Sequence, residues 1–340
     1  MITLPALLAG VMFGSLVLYA LLGGADFGGG VWDLMSRGSR GEAHRRLIAR
    51  AIGPVWETNH IWLIIAVVIL FTGFPKAFAA ISTALFVPLT TLLVGIVLRG
   101  AGFAFHAYRL HEESRAGRWG TLFAATSLIT PVLLGVTIGS LSSGRITLEP
   151  LAFTGDTSIW LAPYPLSVGA LTLSAFSYLA AVYLTLETED PDLRNDFRIR
   201  ALWAATAVAI LSVAVPMTAA WGAPDFYRSL MESDWSVPVM MFNATAALGA
   251  YVSLHLHVFR LARFCAAAQV VLILLGWGLA QFPFLVRPAI TFDSAASPPS
   301  TLRLLLLSLA AGAILLFPAV FLLMRIFKKE ALFGRPRSRP

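Results

Sequence analysis

The sequence predicts an all-α integral membrane protein with nine transmembrane helices. Three observations predict it. Of the 340 residues, 58% are hydrophobic and 13% charged, with mean hydropathy +0.78; soluble domains carry about 25% charged residues. Nine apolar runs approach or exceed the roughly 20 residues that cross a bilayer. Basic residues gather in every second loop between those runs.

The runs are 6–24, 54–73, 77–104, 119–141, 165–186, 201–221, 237–256, 264–284 and 304–324. Their length favours helices, which satisfy their own backbone hydrogen bonds in lipid. No ten-residue alternation of the barrel type occurs, and no repeat of fixed period. The weakest run, 237–256, contains Asn243 and His255. The stretches 142–164 and 222–236 read as short loops. The opening "MITLPALLAG" lacks a basic segment and a small-residue cleavage site, so it reads as the start of an uncleaved span.

Charge parity tests the count. With nine spans and the N-terminus outside, the first inner loop holds Arg37, Arg40, Arg45, Arg46 and Arg50. The later inner loops hold Arg109, Arg115 and Arg118, then Arg194, Arg198 and Arg200, then Arg260 and Arg263. The tail adds six more basic residues, and the outer segments hold only Lys76, Arg145, Arg228, Arg287 and Arg303. This is the positive-inside pattern, with the N-terminus outside and the C-terminus inside. It also accounts for the net charge of +7 without nucleic acid as a partner. The single cysteine, Cys265, excludes an internal disulfide and a thiolate metal cluster.

Polar groups inside spans are costly and mark function by default. The stretch "GPVWETNHIWLI" (53–64) sets Glu57, Asn59 and His60 at the start of a hydrocarbon run. Glu57 and His60 are three apart and share a helix face. Two readings stand together. The pair passes protons inward from the inner face, or Glu57 merely complements the helix dipole while Trp56 and Trp62 join the interfacial aromatic belt. "GGADFGGGVWDL" (23–34) closes the first span. Its glycines allow close helix contact or a break in the helix. No strand precedes it, so it is not a dinucleotide fingerprint. Asp26 either joins Glu57 as a second carboxylate entering from the same side or is a solvated acid just past the span, and Arg99 either snorkels to the interface or pairs with Glu57 or a partner acid, with the solvated and snorkelling readings favoured. His255 and His257 read as solvated; neither they nor His60 reads as a haem or metal ligand. "ETEDPDLRND" (187–196) reads as a solvated mixed-charge loop, and the tail "GRPRSRP" as a basic segment near anionic lipid.

Together, "GADFGGGVWDL", "GPVWETNHIWLI" and "LRGAGFAFH" (98–106) resemble subunit II of the cytochrome bd-type quinol oxidases in order and spacing. The motifs cover the first third of the chain: Gly53, Pro54, Trp56, Asn59 and Trp62 in the second span, and Arg99 in the third. The resemblance implies two four-helix bundles plus one peripheral helix, here 1–141 and 142–284, then 285–326, with a basic cytoplasmic tail over 327–340. It implies a homologous subunit I as partner in the bacterial inner membrane. That partner carries haems b and d, or b only, oxidises quinol and reduces O2 to water with cytoplasmic protons. This chain then binds no haem and has no catalytic residue. It braces subunit I, shapes proton or oxygen access, with Asp26, Glu57 and His60 as proton-path candidates, and holds at most a structural quinone. A small single-span accessory subunit belongs to the same expectation. The chain departs from the commoner family pattern. Gly23-Gly24-Ala25-Asp26 has one carboxylate fewer, Glu57 replaces Asp, His60 replaces Glu, and Ala104 and His106 stand where Glu and Arg are common. The resemblance is to a divergent branch, similar to the cyanide-insensitive oxidases, in which the proton route is shifted, served by His60, or left to subunit I. The competing readings are a secondary transporter, which would carry polar groups near the midplane, and a purely structural membrane subunit.

Overall fold

The computed structural model describes residues 3–53, 55–108, 113–146 and 156–327. Thirteen α-helices run in chain order: α1 Leu4–Leu34, α2 Gly41–Ile52, α3 Trp56–Gly73, α4 Pro75–Ala84, α5 Phe86–Tyr108, α6 Glu113–Ser142, α7 Pro163–Leu184, α8 Pro191–Gly222, α9 Pro224–Glu232, α10 Ser236–His255, α11 Phe259–Gln281, α12 Phe292–Ala295 and α13 Pro299–Phe327. Among the described residues, nine of them are long and apolar enough to cross a membrane: α1, α3, α5, α6, α7, α8, α10, α11 and α13. An antiparallel hairpin, β1 Phe284–Val286 with β2 Ile290–Thr291, and a single 3-10 turn at Thr157–Ile159 are the departures from an all-α chain among those residues.

Three element boundaries differ from the apolar runs. The run 77–104 is two helices, broken at Leu85. Pro88 explains the break, because it has no N–H to offer the carbonyl of Ala84 and its ring crowds the preceding turn. The sixth span begins ten residues before its apolar run, at Pro191. Asp190 caps it, its carboxylate accepting from Asp192 N at 2.9 Å and Leu193 N at 3.3 Å. A capping acid followed by proline at the first helical position is a start signal, so most of "ETEDPDLRND" is helix. The stretch 222–236, read as a loop, contains α9.

Helix α1 runs through its glycines without a break. From Gly23 to Gly30 each glycine meets a neighbour so closely that a Cβ would collide, among them Gly24 with the Phe176 ring, Gly28 with the Phe176 backbone carbonyl and Gly30 with Ser127 Oγ. Small residues let helix backbones approach where lipid supplies no hydrophobic drive. Helix α1 therefore packs on α3, α6 and α7 at once. Trp32 fastens the α7 contact by donating Nε1–H to Ser177 O at 2.7 Å. Helix α7 in turn packs on α6 and α8, and α10 on α11. Helix α13 touches chiefly α1 and α3, and none of its most apolar 18-residue window is buried. It is the peripheral ninth span.

The end opposite the basic loops is closed by α4, the hairpin and α12 over a core of Phe74, Leu85, Val286 and Ile290. Arg287 is buried there, 6% exposed. It donates to Ala280 O and to Ser229 Oγ at 3.0 Å, joining the hairpin to α9 and α11.

Candidate functional site

Helices α1, α3, α5 and α6 enclose a polar cluster. Asp26, Asn59, Arg99 and Ser127 are 4%, 2%, 1% and 0% exposed. Asn59 Nδ2 donates to Asp26 Oδ2 at 2.7 Å. Arg99 Nε donates to Ser127 Oγ at 3.2 Å. The Arg99 guanidinium lies over the rings of Phe27 (4.4 Å) and Phe123 (5.3 Å) and within electrostatic reach of Asp26 and Tyr19. A buried cation is costly without a counter-charge nearby, and Asp26 is the acid within that reach. Two expectations are corrected here. Asp26 is not a solvated acid past the span, because α1 continues eight residues beyond it. Arg99 does not snorkel, because the two aromatic faces and Ser127 Oγ hold it inside the bundle.

The spacing of the motif residues acquires a geometric meaning. Gly53 terminates α2, and a Cβ there would stand 3.0 Å from Ala49 O. Trp56 opens α3 and packs on Phe103 at 5.8 Å. Gly100 makes room for its ring, since a Cβ would sit 3.2 Å from Trp56 Cζ3. Leu98-Arg99-Gly100 thus sends one charge inward and leaves one gap for an indole. Pro54 lies outside the described residues. Trp62 is not in an aromatic belt; it is 5% exposed and meets Phe317 of α13 at 5.9 Å.

His60 and Glu57 do not form a pair. His60 is partly buried among Tyr19, Phe27 and Trp56, with ring centroids 5.8–6.5 Å away. Glu57 is exposed on the surface of the chain. Sequence reasoning missed Ser127 and Tyr19, which face the cluster from α6 and α1. The run Thr126-Ser127 with Thr130, polar residues inside an apolar span, was the available signal. Asn59 Oδ1, His60 Nδ1, Arg99 Nη2, Tyr19 OH and Thr130 Oγ1 are buried atoms with no partner among the described residues. Such groups in a native core call for an explanation, often water.

A cavity of about 270 Å³ reaches this cluster. Leu22, Asp26 and Asn59 line it together with Ala51, Glu187 and Arg263, which belong to the segments beside the basic loops. Glu57 does not line it. Among the described residues no group of three His, Cys, Asp or Glu side chains could hold a metal.

The family model for cytochrome bd terminal oxidase subunit II matches residues 4–327. The chain belongs to that family. A Bacillus subtilis (strain 168) protein provisionally described as a cytochrome bd menaquinol oxidase subunit II is 23% identical over 98% of this chain and 99% of its own. The Escherichia coli (strain K12) cytochrome bd-I ubiquinol oxidase subunit 2 is 27% identical over 54% of this chain and 48% of its own. The fold matches a chain of the bd oxidase from Geobacillus thermodenitrificans with TM-score 0.82 and 22% identity, over 98% of this chain and 99% of that one. As a cytochrome bd subunit II the chain is a multi-pass protein of the bacterial inner membrane and part of a quinol:O2 oxidoreductase, whose catalytic centre lies in the haem-bearing partner, subunit I. That membership displaces the transporter reading.

Proposed function

We propose that this subunit II, besides bracing subunit I, delivers protons for O2 reduction through Asp26. The observation that carries the proposal is the position of that carboxylate. It is buried in the bundle, hydrogen-bonded to Asn59, balanced by Arg99, and borders a cavity that leads toward the basic end. With the N-terminus outside, that end is cytoplasmic, where the consumed protons originate. An intramembrane acid with a wet approach is the usual element of a proton relay. In this reading Asn59 and Arg99 position the carboxylate, and Tyr19 and His60 border its far side.

Glu57 takes a different role in the proposal. An exposed carboxylate at the start of a span is costly against lipid, so the face of α3 that carries it faces subunit I. The division into a bundle over 1–141 and another over 142–284 belongs to the same reading, with α13 outside both. A structural quinone held by this chain would find apolar walls and the Asn59 amide in the same cavity, and there it would compete with water.

The test is Asp26→Asn in the assembled oxidase. Quinol-driven O2 consumption is expected to fall at least about tenfold, the usual scale for losing a positioned acid–base group, with the haem spectrum unchanged. Full turnover in Asp26→Asn would leave the chain a purely structural subunit.

A further inference from the structure

We infer that protons reach Asp26 through water in the cavity lined by α1, α2, α3, α7, α11 and α13, by a mouth framed by Ala51, Glu187 and Arg263, and not along the exposed face that carries Glu57. This rests on Asp26 being the proton acceptor.

The cavity has the size and the ends that such a route needs. About 270 Å³ holds several waters at roughly 30 Å³ each. A buried water also needs two to four polar partners. Asp26 and Asn59 offer them at the inner end, where Asn59 Oδ1 is buried without a protein partner among the described residues. Tyr183, Glu187 and Arg263 offer them at the outer end. The Arg263 guanidinium lies 4.9 Å from the Tyr183 ring, which draws it against one wall. Opposite charges at the mouth leave neither sign to repel a hydrated proton strongly.

Small side chains keep the passage open. Gly29, Ala25, Ala51 and Ala180 contribute to its walls, and a Cβ at Gly29 would already meet Ile52 Cδ1 at 2.6 Å. Leu21, Leu22, Ile52, Val55, Leu184 and Val320 make the remaining wall apolar. A hydrocarbon chain or a quinone ring is therefore the rival occupant.

The experiment uses the assembled oxidase in native membranes, with Cys265→Ser as background and Ala51→Cys or Ala25→Cys added singly. A small, water-soluble cationic methanethiosulfonate is applied from the cytoplasmic side, and Asp26→Asn is measured in parallel. Both thiols are expected to react. Modification of Ala51→Cys is expected to slow quinol-driven O2 consumption roughly tenfold, about 1.4 kcal/mol in barrier. The haem spectrum stays unchanged, and turnover returns once the mixed disulfide is reduced. If Asp26→Asn abolishes turnover while the modified Ala51→Cys oxidase runs at full rate, the route is wrong and Asp26 keeps its role. If Asp26→Asn runs at full rate, the acceptor itself is wrong and the route falls with it. If only a lipid-soluble maleimide reaches the two thiols, the cavity holds hydrocarbon or quinone, and the water route is overturned.

Discussion

Asn59 and Asp26 come from helices α3 and α1 and meet in a buried 2.7 Å hydrogen bond. Replacing Asn59 by Leu removes the donor and leaves the carboxylate buried with fewer partners. Hydrogen bonds to charged groups contribute about 1.5–3 kcal/mol, and a buried group left unsatisfied costs at least as much. Asn59→Leu should therefore lower the thermal midpoint of the purified complex and reduce turnover, whereas Asn59→Gln should retain part of both. Differential scanning fluorimetry and oxygen-electrode rates measure the two effects.

Arg99 separates structure from proton delivery. Arg99→Gln removes a buried guanidinium from the rings of Phe27 and Phe123 and from its bond to Ser127 Oγ, and Asp26→Asn removes the acid within its electrostatic reach, so each single variant should lower the thermal midpoint of the complex. The double variant Asp26→Asn/Arg99→Gln removes both charges and should regain part of that midpoint. It should nevertheless turn over slowly, because the acceptor is gone. Stability is read from thermal unfolding and function from O2 consumption. Full recovery of both would show the two groups to be purely structural.

The glycine contacts of α1 predict a position-dependent cost. Gly28→Ala pushes a methyl into the Phe176 carbonyl and should destabilise by about 1–3 kcal/mol, the usual scale of overpacking. Gly10→Ala meets nothing within 4 Å and should be neutral or slightly stabilising through helix propensity. Thermal unfolding of the two variants side by side checks the contrast.

A pH dependence follows from His44 on α2. Its Nε2 meets Asp196 Oδ2 at 2.8 Å, and its Nδ1 faces Arg200 Nη2 at 3.3 Å, with Arg40 also on Asp196 and reaching Asp192. Burial holds the imidazole below its ordinary value, outweighing the Asp196 hydrogen bond, and Arg200 adds to the depression. The neutral ring, donating from Nε2 and accepting at Nδ1, suits both neighbours; a proton on Nδ1 would face a guanidinium. The unfolded chain then binds a proton first as pH falls. The contribution to stability is complete above the unfolded value of about 6.5 and is lost as pH falls through the lower folded value. Thermal midpoints measured from pH 7.5 to pH 5 should fall less steeply in His44→Gln, which keeps a donor for Asp196 and does not titrate.

Hydropathy and the basic loops made the nine spans legible, because each span must be apolar along its whole length whatever it packs against. The same logic hid the site. Asp26 follows a run of glycines, whose low hydropathy ended the first apolar run at residue 24, although close packing on Phe176 and Ser127 carries the helix to Leu34. Arg99 near the end of a run reads as snorkelling until Phe27, Phe123 and Asp26, distant in sequence, are placed around it. Glu57 and His60 share a spacing but not an environment, since periodicity reports a helix face and not what covers it. The cavity mouth joins residues 51, 187 and 263, and no local pattern relates them. The resemblance of the 23–34, 53–64 and 98–106 segments did single out Asp26, Asn59 and Arg99, and these three are gathered in one place.

The unbroken path of α1 through Gly23–Gly30 also fixes how many residues that segment can contain. Each residue advances the helix by about 100°. One residue inserted between Ala25 and Gly28 would turn Gly28 and Gly30 away from Phe176 and Ser127 and swing Asp26 out of phase with one or the other set of contacts. A second insertion would not restore the phase; only a whole turn of three or four residues comes near it, at the expense of shifting the helix lengthwise by about 5 Å. In this stretch the number of residues is therefore as strict a specification as their identity, and insertions or deletions of one or two residues should be tolerated far less than substitutions at its lipid-facing positions.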